Sequence, residues 1–210
     1  GGVYSHEGTF PDLIELSNPG SNPVNLAGMS ISDRPDVPGK FVFPAGTTIP
    51  SGGYLVLFAD TPNGTSGIHL GFSLSATGEG VYLFDTPDRE HTLIDSVEFG
   101  PQATRFSIGR LRGSDQWVLN IPSPGFPNIV QPYGNPLNIH ITEWLTEGDV
   151  LYREDWFEIH NPDPLPVLIS GFSVSDQPNN PQHHIFPPLS FIAGDGYLKI
   201  IADRDVEAGP

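Results

Sequence analysis

Cysteine is absent from all 210 residues, which excludes a disulfide frame, a thiol nucleophile and a thiolate metal site. Positive charge is scarce as well: nine Lys plus Arg stand against 25 Asp plus Glu, for a formal net charge of −16. Only Lys40 and Lys199 are lysines, so binding of nucleic acid through its phosphates is excluded on charge. Long uninterrupted segments are missing too. The 24 glycines and 23 prolines are spread so evenly that the longest stretch free of both runs from Asp149 to Asn161. No long helix fits between such breakers. No apolar run approaches the roughly 20 residues that span a bilayer, so no membrane insertion is expected, and the opening Gly1-Gly2-Val3 has neither the basic segment nor the apolar core of an export signal. What is present is 37% apolar residues, including thirteen phenylalanines, enough to supply a core and to set disorder aside.

The sequence repeats itself. DLIELSNPGSNPVNLAGMSISD, from Asp12, returns as DWFEIHNPDPLPVLISGFSVSD, from Asp155, at an offset of 143 that holds without a gap to Asp60 and Asp203. Twenty of these 49 positions are identical, among them Glu15/Glu158, Asn18/Asn161, Gly28/Gly171, Asp33/Asp176, Pro44/Pro187 and Tyr54/Tyr197. Ile14 and Leu16 pair with Phe157 and Ile159, and Met29 and Ile31 with Phe172 and Val174, while Ser30 and Ser32 recur as Ser173 and Ser175. This alternation predicts half-buried strands. In YLVLFAD, Val56 becomes Lys199, which assigns Leu55, Leu57 and Ala59 to the core face. Further strands are expected at HLGFSL (Leu70, Phe72, Leu74), VYLFD (Val81 to Asp85), LIDSVEF (Leu93 to Phe99), FSIGR (Phe106 to Arg110) and IHITEW (Ile139 to Trp144). Short strands separated by Pro, Gly and Asn turns predict an all-β, antiparallel sandwich. The expected organisation is a first domain over 1–128, a linker over 129–137, and the front half of a second domain over 138–210. The chain then reads as a window on a longer array, its second sandwich incomplete, frayed near Asp203 or closed by another chain.

The succession DLIELSNPG, VNLAGMSISD, FVFPAGTTIPSGGYLVLFAD, HLGFSLSATGEGVYLFD, IDSVEF, FSIGR and PSPGFPN resembles the lamin tail domain in its bacterial form, and ITEW, DWFEIHNP, ISGFSVSD and GYLKIIAD resemble the front half of the same domain. The resemblance implies an immunoglobulin-like sandwich, two tandem copies with the second truncated, and a non-catalytic module of a secreted or surface-attached protein. An extracellular or cell-surface location is expected on that ground. A filament or chromatin role of the nuclear relatives is not, because heptad periodicity is lacking and the chain is acidic.

Each candidate for chemistry has a plainer reading beside it. His183 and His184, with Asp176 and His160, offer metal-type ligands, but the first copy has Lys40 and Phe41 at the two histidine positions, which reads as surface. Asp203, Asp205 and Glu207 alternate as calcium ligands do, yet Ala208 stands where a calcium loop needs its glycine. Asp33 and Asp176, each followed by x-Pro, are expected to cap their own turns. Glu15 and Glu158 should face outward, with no second acid identified for glycoside hydrolysis. Gly78-Glu79-Gly80 and Gly194-Asp195-Gly196 lack the third glycine of a dinucleotide fingerprint and read as hairpin turns. Arg105, Arg110 and Arg112 read as a charged strand edge. No catalytic, cofactor-binding or metal residue is assigned, and no cofactor. For binding, Trp117, Trp144, Trp156 and Tyr152 are the candidates, against rim or core packing. The expected partner is a protein or polysaccharide surface, with carbohydrate recognition or calcium-assisted adhesion beside a flanking hydrolase as the alternative.

Overall fold

The computed structural model of the protein describes residues 4–62, 64–111, 113–146 and 154–202. They are nearly all strand and turn, with antiparallel ladders and only two single-turn 3-10 segments, Pro87–Arg89 and Pro136–Asn138. No helix among the described residues is long and apolar enough to cross a membrane. The chain divides into two units: Gly1–Ser75 with Glu79–Glu98 and Arg105–Val130, and Ala76–Gly78 with Phe99–Thr104 and Gln131–Pro210.

In chain order the first strands are β1 (Asp12–Ser17), β2 (Val24–Asn25), β3 (Ser30–Ser32), β4 (Phe41–Val42), β5 (Thr48–Ile49) and β6 (Tyr54–Ala59). They are followed by β7 (Glu79–Phe84), β8 (Leu93–Phe99), β9 (Ser107–Arg110), β10 (Trp117–Ile121) and β11 (Ile129–Val130). β1 pairs with β6, β2 with β5, β10 lies between β9 and β11, and a four-stranded sheet runs β4-β3-β7-β8. Apolar positions of these strands and of the residues that follow them meet in one core: Ile14, Leu26, Ile31, Phe43, Ile49, Leu57 and Ala59 pack with Leu70 and Phe72. The face assigned to Leu55, Leu57 and Ala59 is the inward one, with Leu55 at the margin.

Unit 2 carries β12 (His140–Leu145), β13 (Trp156–His160), β14 (Val167–Leu168), β15 (Ser173–Val174), β16 (His184–Ile185), β17 (Phe191–Ile192) and β18 (Tyr197–Ile201). From β13 onward these repeat β1 to β6 at the same offset in position and in register: Ile14 faces Leu57 as Phe157 faces Ile200, and Val24 faces Ile49 as Val167 faces Ile192. The turns repeat as well. Gly28 and Gly171 hold φ of +81° and +76°, a conformation that favours glycine. β12 adds to β13 with a bulge between Ile141 and Glu143. Residues 99–104 cap the β17 side of this unit: the Phe191 N–H donates to the Pro101 carbonyl (2.7 Å) and the Gly100 N–H to that of Pro188 (2.9 Å). The Gln102 amide donates to the Leu189 carbonyl at 2.8 Å.

Three local expectations need correction. Ser30 and Ser32 are fully buried. β3 is an inner strand, and the hydroxyls accept the Gly39 N–H (3.1 Å) and the Arg34 N–H (3.0 Å), so burial leaves neither unpaired. HLGFSL forms no ladder strand. It runs beside β6 through a parallel bridge at Phe58 and His69, and its apolar side chains turn inward all the same. Of the stretch expected to link the domains, Ile129 and Val130 form the edge strand β11.

Candidate functional site

The most distinctive surface belongs to unit 2. Phe157, Leu198 and Ile200 point to its core face, yet Phe157 and Ile200 are only half-buried there. The register sets Trp144 opposite Phe157 and Ile141 opposite Ile159, hence on that same face, where they are 71% and 59% exposed. Two large apolar side chains side by side in water mark a contact surface more than a solvated one does. The other tryptophans behave differently. Trp117 is half-buried with the Arg110 guanidinium 4.8 Å from its ring centre, and Trp156 has the Lys199 ammonium at 5.2 Å. Both are covered by cations, which leaves Trp144 as the exposed one. Tyr152 lies outside the described residues, as do Arg112, Asp203, Asp205 and Glu207.

Of the three arginines expected on a charged strand edge, Arg110 ends β9, the outer strand of the β11-β10-β9 sheet. Arg110 pairs with Asp95 and lies 3.6 Å from Asp115, and Arg105 is an exposed turn residue with φ of +73°. Of the metal-type residues, Asp176 and His183 approach to 3.4 Å at an exposed site. His184 packs edge-on against Phe186, and His160 stacks on Tyr197 at 4.2 Å. These contacts pull the set apart, and no group of three or more metal-capable side chains occurs among the described residues. Asp33 does not cap its turn. The preceding serine does, and Asp33 takes the Lys40 ammonium at 2.6 Å instead; Ser175 likewise accepts the Gln177 N–H at 2.9 Å. Glu15 is not a free outward carboxylate: it is half-buried and accepts the Gly125 N–H at 2.5 Å, and burial pushes its pKa up from the ordinary value. Glu158 accepts the Thr142 hydroxyl at 2.9 Å. Gly78-Glu79-Gly80 is the entry to β7, with the Glu79 carboxylate accepting the Ser75 N–H, whereas Gly194 to Gly196 is a tight turn closed by the Gly196 N–H on the Ala193 carbonyl.

Sequence reasoning overlooked one polar constellation. His69 Nδ1 lies 2.5 Å from Asp60 Oδ1, and its Nε2 lies 3.1 Å from the Thr65 hydroxyl and 3.3 Å from the Thr65 carbonyl. The hydrogen bond to Asp60 raises the His69 pKa, and nearby carbonyls of Thr65 and Ser66 add to the effect. Hydroxyl, imidazole and carboxylate in series suggest a nucleophile with its base. The surroundings argue otherwise. The carboxylate on Nδ1 takes an N–H donor and the Thr65 carbonyl at Nε2 favours a second, so these partners stabilise the protonated ring. The ring is also enclosed, its side chain 7% exposed, with Phe58 stacked against it at 5.2 Å and His6 stacked in turn on Phe58 at 4.1 Å. This is a clamp on the 60–69 loop. Its signal in the sequence was the Asp60/Asp203 identity, which marks a position without naming its histidine partner.

The all-β, antiparallel architecture is that of an immunoglobulin-like sandwich. Residues 3–101 match the family model described as Lamin Tail Domain, a non-enzymatic immunoglobulin-like module, so this part of the chain is similar to that family. No curated protein and no solved structure matches the chain.

Proposed function

We propose that the chain holds two tandem lamin-tail-like modules, the second one incomplete, of a larger exported bacterial protein, and that they dock or space it on a surface, matrix or partner without catalysing a reaction. The observation that carries this is the recurrence of six strands at one offset and one register, while loop and surface residues differ between the repeats. A fixed frame with variable exposed positions suits contact better than chemistry. The frame supplies rigidity, and the exposed Trp144 and Ile141 supply a desolvatable patch of the kind that dominates protein contacts. The test is to immobilise the chain, challenge it with purified cell-wall polysaccharide, a glycan array and surface protein fractions, with and without calcium, and assay it against ester, glycoside and peptide substrates. The expected result is binding to a surface, weakened by Ile141→Ser with Trp144→Ser, and no turnover. Turnover of a defined substrate would contradict the reading, and calcium-dependent glycan binding would replace it with sugar recognition.

A further inference from the structure

Asp33 directly follows β3 and Lys40 directly precedes β4, so two paired strands fix the backbone at both positions. The turn between them is held at each end as well: the Arg34 N–H donates to the Ser32 hydroxyl and the Gly39 N–H to that of Ser30. In this frame the Lys40 ammonium reaches both oxygens of Asp33, at 2.7 and 2.6 Å. The Asp33 side chain is only 12% exposed, and the buried ring of Phe72 lies 4.9 Å from the Lys40 nitrogen. An ordinary surface ion pair opens readily to water, whereas this one has one partner largely enclosed and an apolar wall beside the other. Glu79 belongs to the same set. Burial raises its pKa, and the charge of Asp33 raises it further while that of Lys40 opposes the rise, so its carboxyl stands close enough to sense both. The second repeat keeps the arrangement with different chemistry: Asp176 and His183, 143 residues on, approach to 3.4 Å.

An amine, a carboxyl carbon and a proton carrier held together are the components of an amide condensation. We infer that Lys40 and Asp33 form a self-modification site, joined by an isopeptide bond between Nζ and Cγ, with Glu79 carrying the proton between them. Glu79 takes a proton from the ammonium and passes it to Asp33, which leaves a neutral amine beside a neutral carboxyl. Asp33 turns about its Cβ–Cγ bond to present the face of that carboxyl, and the Nζ lone pair attacks Cγ. The nitrogen gives up a second proton, the Cγ–O bond breaks, and this oxygen departs as water. One ammonium and one carboxylate become one amide and one water, Glu79 returns to its starting state, and nothing is oxidised or reduced. Fixing both groups on one turn supplies the driving force that free groups in water lack, because effective molarities in well-oriented pairs reach on the order of 10⁵–10⁸ M. The bond would close the β3–β4 turn covalently. The Asp176 and His183 pair gives no such product, since an acylated imidazole hydrolyses.

The test is the intact mass of the full chain, folded and then denatured, followed by tryptic mapping. The expected result is a chain lighter than its sequence by one water, with the full mass restored in Lys40→Arg, which keeps the ion pair, and in Glu79→Gln. Asp33→Asn should instead be lighter by one ammonia, because the leaving group is then an amide nitrogen. Arg34 precedes a proline and resists trypsin, so the linked chain gives one peptide over 1–89 with Lys40 uncut, and the unlinked chain gives 1–40 and 41–89. Full mass with Lys40 cut in the wild-type chain overturns the inference. A water loss that persists in Lys40→Arg places the dehydration elsewhere and overturns it too, and a bond retained in Glu79→Gln overturns the proton route. A failure here leaves the non-catalytic docking role standing, because that role is read from surface binding and turnover.

Discussion

Asp60 and His69 face each other across their loop, carboxylate oxygen to Nδ1 at 2.5 Å, with Phe58 packed against the imidazole. The raised His69 pKa means that the folded state holds this proton more tightly than the unfolded chain does. The clamp therefore contributes fully below the ordinary histidine value of 6.5 and is lost as pH rises through the higher folded value. The 60–69 loop should become more susceptible to limited proteolysis between pH 6 and pH 9, and Asp60→Asn should make it susceptible throughout that range. A cleavage rate independent of pH in the wild-type chain would show that the imidazole does not change charge over this range.

Asn18 and Asn161 are buried at equivalent positions and do the same work. The Asn18 amide donates to the carbonyls of Asn22, Ile49 and Pro50 at 2.8, 3.1 and 3.0 Å, and its oxygen accepts the Gly20 N–H at 3.0 Å. Asn161 donates to Leu165 and Ala193 at 2.9 Å and accepts the Asp163 N–H at 3.0 Å. Replacing either by Ala strands several main-chain groups, a loss of about 2–3 kcal/mol. Replacement by Asp should cost as much, because a carboxylate cannot donate. Urea denaturation of the single variants measures both.

The Glu15 carboxylate anchors the turn at Gly125 but is partly desolvated in doing so. With its folded pKa raised, this group favours the fold most at acid pH and progressively less as pH rises through that value. Glu15→Gln, which keeps an acceptor and drops the charge, should leave thermal stability at pH 7 unchanged or slightly higher. Glu15→Ala should lower stability by about 1 kcal/mol.

Much of the frame was legible because each repeat serves as a check on the other. The Val56/Lys199 exchange identified the core face of β6, and alternation identified β1 and β13. What escaped was set by neighbours distant in sequence. Ser30 and Ser32 look like solvent-side residues, and in the second repeat their counterparts are. In the first, β7 sets Phe84 beside Ser30 and Tyr82 beside Ser32, and both serines are buried. β10 was not read as a strand, because Trp117 to Ile121 does not alternate: Val118, Leu119 and Asn120 are all buried, with the Asn120 NH2 donating to the Val118 carbonyl at 2.9 Å. The clamp escaped because His69 lies beyond the stretch over which the two repeats can be aligned.

The unequal cover of the two units also predicts unequal costs for equivalent truncations. Ile31→Ala removes a fully buried side chain and should cost about 2–4 kcal/mol. Val174→Ala acts at a half-buried site and should cost under about 1 kcal/mol. Chemical denaturation followed by a probe in each unit compares them directly.

The central claim is that one strand pattern recurs in one register, with β3 paired on both sides in unit 1 and β15 on one side among the described residues of unit 2. Amide hydrogen exchange of the unmodified chain, resolved at Ser30–Ser32 and at 173–175, tests it most directly. The account predicts exchange over 173–175 faster by on the order of a hundredfold, since β3 is flanked on both sides and β15 on one. Equal protection of the two segments in the monomeric chain would contradict it.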